Sequence, residues 1–183
     1  MKAYHWLKND MTSGSGDEKP WTIGETRTIE GDIELCRKGY HSSKSFYDAL
    51  QYTPGAMACI VEISGKTIKG GDKQVSSTRK LIDARDATKV LMEFDVDCAE
   101  RVLPNFEKYY PQDDRPRKAI QAARAFNKGA ITQDGLSAAG SAAWLAAESA
   151  AGSAARLAAW SAEIKWQKQH LNKPMKKLFK ESV

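Results

Sequence analysis

Residues 39–44, Gly-Tyr-His-Ser-Ser-Lys, place an imidazole, two hydroxyls and an ammonium group next to one another. The segment stands just before a predicted helix, whose unpaired N–H groups and positive dipole end favour a phosphate. We therefore expect Tyr40, His41, Ser43 and Lys44 to bind a phosphate-bearing ligand. Helix capping by the serines is the alternative.

Two further places carry side chains suited to a ligand. Tyr4 and Trp6 could stack on a base, together with His5, although an aromatic strand is also typical of a core. Arg79 could bind an anion from a neighbouring strand, or could be a solvated strand charge. Tyr4, Trp6 and Arg79 are therefore candidate ligand-binding residues.

A third place is the start of a predicted helix, where Arg115 and Arg117 flank Pro116. Their guanidinium groups could bind phosphate or carboxylate in a bidentate manner. They could equally pair with Asp113 and Asp114. Both arginines are candidate ligand-binding residues.

The sequence contains no pattern that indicates catalysis, metal binding or disulfide formation. No Ser-His-Asp or Cys-His arrangement can be assigned, and three histidines in the chain do not predict a metal site. The cysteines at 36, 59 and 98 have no CxxC spacing, so we expect reduced, buried thiols. We assign no catalytic residue, metal or cofactor and favour a protein that is not an enzyme.

Strands dominate the first part of the chain. Residues 57–64 place Cys59, Val61 and Ile63 on one face and predict a central strand, and residues 3–7 and 79–86 predict further strands. A helix is expected after Ser43 or Ser45, and residues 65–73 are expected to be a turn region with a short strand.

Helical spacing takes over from residue 87. One helix is predicted to end at Pro104, and a second runs from Asp113 or Asp114, with a buried stripe, to Gly129. The fold class is therefore α+β: a small strand-rich N-terminal domain followed by a helical bundle.

The alanine-rich region contains a repeat. Residues 137–148 and 149–160 are identical at ten of twelve positions. Alanine favours a helix, and we predict one long helix from about 136 to 169. Small residues on all sides allow close backbone approach. This helix is expected to assemble the chain into a homo-oligomer.

Charge and hydropathy complete the predicted organisation. Six lysines and one glutamate at residues 164–183 account for the whole net charge of +5. The division is a mixed domain at 1–86, a helical domain at 87–169 and a basic tail at 170–183. No apolar run reaches the roughly twenty residues of a membrane span, and residues 1–10 lack the apolar core of a secretory signal. We expect a cytoplasmic protein with no membrane or nucleic-acid partner.

Two families resemble the two parts. Residues 87–165, above all DDRPRKAIQAARAF, are similar to a family of small helical immunity proteins. That resemblance implies binding and silencing of a toxin. Residues 1–86, through LCRKGYHSSKSFYDAL and MACIVEISG, resemble a domain common in phage and bacterial genomes. The combination suggests a phage protein, which would act in the cytoplasm of the host cell.

The first part also resembles small ADP-ribosyltransferases of the rifampicin-modifying type. The order of Tyr4-His5, the segment from Gly39 to Tyr52, and the strand 60–65 carries this likeness. It implies a cleft for the ADP-ribose half of NAD. For the catalytic acid, Glu62, Asp83 and Glu93 stay open.

These observations lead to three functional hypotheses. The leading one is a non-catalytic phage-type protein that sequesters a nucleotide immune signal, an ADP-ribose derivative or cyclic nucleotide, to counter host defence. The second is a toxin-neutralising immunity protein that acts through a protein interface. The third is an ADP-ribosyltransferase.

Overall fold

The structure is a computed structural model that describes the backbone of residues 1–14, 18–138, 140 and 156–180, and in the last range the side chains from residue 163 onward. The chain divides into two compact units. The sheet unit comprises Met1–Thr88 and Lys168–Val183, and the helical unit comprises Lys89–Gln167. The division into three segments at 86 and 169 stays a prediction.

An antiparallel sheet of five strands forms the sheet unit: β1 Lys2–Leu7, β2 Thr26–Thr28, β3 Tyr40–Ser42, β4 Met57–Lys69 and β5 Gln74–Asp86. The strand order is β1-β4-β5-β2, with β3 also paired to β5. Strand β4 lies between β1 and β5, as predicted for a central strand. The α+β class is confirmed.

The β4–β5 hairpin is longer than the sequence predicted. The expected turn region at 65–73 is mostly strand, since β4 continues to Lys69 and the turn closes with Gly70 N–H donating to the Lys73 carbonyl at 2.8 Å. Gly65 lies at φ +74°, where the pairing register shifts between Ser64 and Thr67. The glycine that suggested a turn forms a β-bulge instead.

One cluster of core residues lies on one face of the sheet. Cys59, Val61 and Ile63 alternate along β4 and are at most 2% exposed, because successive side chains of a strand point to opposite faces. They pack with Ala3, Leu7, Trp21 and Leu81.

The helices are α1 Phe46–Leu50, α2 Thr88–Glu107, α3 Arg115–Asn127 and α4 Arg156–Leu178. Of the two serines that could cap α1, Ser45 does so: its side chain accepts from the Asp48 N–H at 3.1 Å. Helix α3 ends as expected, with Gly129 at φ +71°. Its stripe is half-buried rather than buried.

Helix α2 does not end at Pro104. It continues one turn to Glu107, and the Lys108 N–H donates back to the Pro104 carbonyl at 3.1 Å. Proline removes its own N–H but leaves its carbonyl able to accept, so a last turn can follow it.

The last part of α4 completes the sheet unit. Leu171 and Met175 are 0% exposed, although residues 170–183 were expected to be a basic tail. The Lys168 ammonium pairs with the Asp48 carboxylate at 2.8 Å, and the Phe179 ring stacks on Phe46 with centroids 5.3 Å apart. Apolar side chains at helical spacing were the overlooked signal.

Two other expectations can be placed. Most of the alanine-rich repeat, and the oligomer contact predicted for it, lie outside the described residues. Among the cysteines, Cys59 is buried and Cys98 half-buried, but Cys36 is exposed, contrary to the prediction of buried thiols. Of the described helices, none is both long and apolar enough to cross a bilayer.

Candidate functional site

A cleft of about 670 Å³ opens in the sheet unit between β1, β3, β5 and the segments that flank α1. Five of the predicted ligand-binding residues line it: Tyr4, Tyr40, His41, Ser43 and Arg79. Its volume is within the range of about 300–1,000 Å³ that is usual for small-molecule sites. The arrangement thus provides a concave site with aromatic, hydroxyl and cationic groups.

Strand β3 carries the central segment of the cleft. Gly39 precedes it at φ +125°, and a Cβ at this position would clash with Val75 Cγ2, so the close approach to β5 requires glycine. At the far end, Tyr4 and Ser43 exchange both backbone hydrogen bonds at 2.9 Å. These contacts bring the Tyr-His-Ser-Ser segment against β1.

His41 has a positioning role in this arrangement. Its Nε2 accepts a hydrogen bond from the Cys36 N–H at 2.8 Å, which holds the loop before β3. Burial lowers the pKa of His41, and the nearby charge of Lys73 acts in the same direction. The imidazole is therefore neutral at pH 7, with its Nε2 already occupied.

Arg79 supplies a buried positive charge. It is 3% exposed, and its Nη1 donates to the His41 carbonyl at 3.2 Å. Its guanidinium lies 4.4 Å from the Trp21 ring centroid and 5.0 Å from that of Tyr40. Burial lowers the pKa of Arg79 to about 10, so it stays charged at pH 7. Arg79 is a fixed cation between two aromatic rings.

Two buried polar atoms of the cleft lining have no hydrogen-bond partner within the described chain: Ser42 Oγ and His5 Nε2. Burial lowers the pKa of His5 well below its usual value, and the positive charge of Arg79 adds to this effect. Buried polar atoms are normally satisfied, so both are available to a ligand.

The mouth of the cleft is polar. The Tyr52 hydroxyl donates to Asp72 at 2.6 Å, and the Lys73 ammonium lies 4.1 Å from the Tyr52 ring centroid. Glu18 brings a carboxylate to the lining and pairs with Arg27 at 3.2 Å. The sequence did not single out Glu18 or Lys73, because neither lies in a recognisable motif.

Comparison with known families divides the chain in a similar place. Residues 1–93, just over half of the chain, match the family model described as Domain of unknown function (DUF7666). The chain belongs to the DUF7666 family. Residues 83–173, just under half, match the model described as Imm-5 like putative immunity protein. No curated protein matched the chain, nor did any solved structure.

The DUF7666 match contains every residue of the cleft. It also contains two predicted ligand-binding residues that do not line it. Trp6 is 1% exposed and donates from Nε1 to the Phe46 carbonyl at 3.1 Å, and Lys44 is an exposed residue. Trp6 therefore has the core role that was the alternative for an aromatic strand.

Arg115 and Arg117 lie in the Imm-5 like match, within the helical unit. Arg115 forms two hydrogen bonds to Asp113, at 2.8 and 2.6 Å, and Arg117 forms two to Glu107, at 2.8 and 2.7 Å. The sequence offered pairing with Asp113 and Asp114 as the alternative to ligand binding. Arg115 forms such a pair, whereas Arg117 pairs with Glu107 instead. A ligand role for these arginines stays a prediction.

The three acids considered for catalysis are not in the cleft lining. Asp83 pairs with Arg85 at 3.1 Å and Glu93 pairs with Arg124 at 2.7 Å, whereas Glu62 is an exposed residue of β4. The family matches do not support the resemblance to ADP-ribosyltransferases. Within the described residues, no cluster of three or more potential metal ligands occurs.

Proposed function

We propose that the protein is an immunity protein that neutralises a toxin through a protein–protein interface. The observation that carries this proposal is the match of residues 83–173 to the Imm-5 like family. An immunity protein needs an accessible surface rather than a catalytic centre, and its partner is the toxic domain of another protein.

The surface at the end of α2 fits such an interface. Tyr109 is 65% exposed and Tyr110 is 40% exposed, and Arg115 and Arg117 follow at the start of α3. Tyrosine and arginine are enriched among the residues that dominate binding energy in protein interfaces. The paired carboxylates also hold both guanidinium groups in place before binding.

Growth rescue tests this proposal. If the gene has a neighbour that encodes a toxic domain, that domain is expressed in a bacterial host, with and without the protein, and the purified pair is titrated. We expect rescue and a complex, and about 30-fold weaker binding for the Tyr109→Ala, Tyr110→Ala double variant, since a hot spot contributes about 2 kcal/mol or more.

The matched control is Ile82→Ala, which removes an apolar side chain that is 42% exposed in the sheet unit. It should bind like the wild type. Toxicity unchanged by the wild-type protein, in a host where both are expressed, would refute the immunity proposal.

The cleft favours a second candidate, sequestration of a nucleotide immune signal. The cleft has a buried arginine, aromatic rings and two polar atoms that lack a hydrogen-bond partner among the described residues. These features support binding of an ADP-ribose derivative or cyclic nucleotide. Isothermal titration with ADP-ribose, cyclic ADP-ribose and cyclic dinucleotides is the test. A sequestering protein binds one of them tightly and releases it unchanged on denaturation.

A separate incubation with NAD and candidate acceptors distinguishes this candidate from a transferase. An ADP-ribosyltransferase would consume NAD and release nicotinamide, which chromatography of the incubated mixture detects. Binding with intact ligand supports sequestration, nicotinamide release supports the transferase, and the absence of both eliminates the two nucleotide functions and leaves the immunity proposal.

A further inference from the structure

We infer that the cleft of the sheet unit contains a subsite for an oxyanion, a phosphate or a carboxylate group, anchored by Arg79. The inference deepens the second candidate function, on which it rests for the nucleotide character of the ligand. The oxyanion requirement itself comes from the side chains that line the cleft.

The first argument is the isolation of the Arg79 charge. Within the part of the chain that the structure describes, its guanidinium donates one hydrogen bond, to the His41 carbonyl, and forms no ion pair with a carboxylate. The negative charge of Glu18 in the same cleft acts on Arg79 without a direct ion pair. A buried charge without a paired counter-ion is costly. The rings of Trp21 and Tyr40 offset part of that cost by cation–π attraction. A bound anion would offset the remainder.

The second argument is the set of unused donors. Ser42 is 3% exposed and lines the cleft, and its Oγ is buried without a partner among the described residues. His5 Nε2 has the same status and can donate when the neutral imidazole carries its proton there. An oxyanion presents several acceptor atoms, so it can satisfy the hydroxyl, the imidazole and the guanidinium together.

The third argument concerns the rest of the ligand. A cleft of about 670 Å³ is larger than a single phosphate requires and is suited to an organic anion. Tyr4 and Tyr52 add aromatic surface, and Lys73 adds a second positive charge at the mouth. Glu18 opposes an anion, but its carboxylate is paired with Arg27. A planar group joined to an oxyanion fits this lining.

Isothermal titration of the full chain with four probes tests the subsite: adenosine 5′-monophosphate, adenosine, pyrophosphate and benzoate. We expect the monophosphate to bind at least about tenfold more tightly than adenosine, because a hydrogen bond to a charged group is stronger than a neutral one. Pyrophosphate and benzoate distinguish a phosphate from a carboxylate as the bound group.

Arg79→Met should abolish the preference for the monophosphate, whereas Arg79→Lys should retain part of it, because the charge stays and the bidentate geometry is lost. Lys80→Met is the matched control. It removes the same charge from the next, exposed position of β5, which points to the opposite face, and should leave binding unchanged.

The outcomes separate the subsite from the nucleotide function. If pyrophosphate or benzoate binds in an Arg79-dependent manner and no nucleotide does, the subsite stands and nucleotide sequestration fails. If a nucleotide binds equally well to Arg79→Met, or as tightly without its phosphate, the subsite is refuted. Failure of all four probes overturns the subsite, and the titration with ADP-ribose and cyclic nucleotides then decides whether sequestration fails as well.

A second variant, which is expected to keep the fold, tests the subsite even if Arg79→Met does not fold. Ser42→Ala removes an Oγ that has no partner in the described chain, so it should fold like the wild type. We expect several-fold weaker binding of whichever anion binds. Unchanged affinity in this variant, with Arg79→Met shown to be unfolded by circular dichroism, would contradict the inference.

Discussion

Burial keeps the two histidines of the cleft neutral. The pKa of His5 lies well below its usual value through burial and then through the charge of Arg79, and the pKa of His41 is lowered by burial and by Lys73. In the unfolded chain these two imidazoles bind protons near pH 6.5, whereas in the folded protein they stay neutral at that pH. Stability contributed by these neutral histidines is present above pH 6.5 and is lost as the pH falls below it.

His5→Gln should flatten this pH dependence. Between pH 8 and pH 5.5 the wild type should lose about 1 kcal/mol more free energy of unfolding than the variant, because glutamine at position 5 takes up no proton on unfolding and only His41 does. Urea denaturation at the two pH values measures both losses. Equal losses for the two proteins would show that His5 does not carry the effect.

The sequence identified the site residues that are adjacent in the chain, but it gave little weight to the one that is distant in the chain. Tyr40, His41 and Ser43 are adjacent in the chain, so one short motif identified them. Arg79 joins them only through the pairing of β3 with β5, and as an isolated strand charge it could equally have been solvated. Its position two residues before the buried Leu81 was the available signal, because alternate residues of a strand share a face.

At the scale of the elements, periodicity was reliable, whereas glycines and prolines marked the ends of some elements and not of others. The alternation of β4 and the proline and glycine that bound α3 predicted both elements. Gly65 and Pro104 suggested ends where β4 and α2 continue. Gly65 is accommodated by a β-bulge, and Pro104 by a final helical turn. Whether a strand or helix ends at such a residue depends on the neighbouring backbone hydrogen bonds, which cannot be read from a sequence.

One arginine connects two elements of the helical unit. From α3, Arg124 donates to three carboxylates of α2: Glu93 at 2.7 Å, Glu100 at 2.8 Å, and Asp97. Hydrogen bonds to Glu100 and Asp97 raise the pKa of Arg124 above its usual value. The single cation offsets the mutual repulsion of these acids along one helix.

Arg124→Gln should therefore lower the free energy of unfolding by roughly 1 to 2 kcal/mol, since each partly exposed pair contributes up to about 1 kcal/mol. The loss should shrink in high salt, which screens the charges. Urea denaturation at low and high salt is the measurement. Lys118→Gln is the control: it breaks an exposed pair with Asp114 and should cost at most about 0.5 kcal/mol. A cost equal to that of the control would rule out the network as a stabilising element.

At the scale of the whole molecule, the sheet unit is assembled from two distant stretches of chain. The match to the DUF7666 family ends at residue 93, yet Leu171 and Met175 are completely buried in this unit. The Asp48–Lys168 ion pair and the Phe46–Phe179 stack support the same packing. The family boundary therefore does not coincide with the limits of the folded unit.

Leu171→Ala should destabilise the sheet unit by about 2–5 kcal/mol, the usual cost of removing most of a buried leucine side chain. Hydrogen exchange of the β4 amides measures the stability of this unit directly, and the exchange should be faster in the variant than in the wild type. Lys176→Ala changes an exposed residue of the same helix and should leave the exchange as it is. Protection in Leu171→Ala equal to that of the control would mean that the end of α4 does not support the sheet.

This split unit also bears on the order of events during synthesis. A domain usually folds soon after its residues leave the ribosome, N-terminal part first. Here the side chains that seal the first unit lie about eighty residues beyond its last strand. The apolar surface of the sheet therefore stays incompletely covered while the helical region is translated. We expect chaperones to bind a nascent chain that is halted before residue 168.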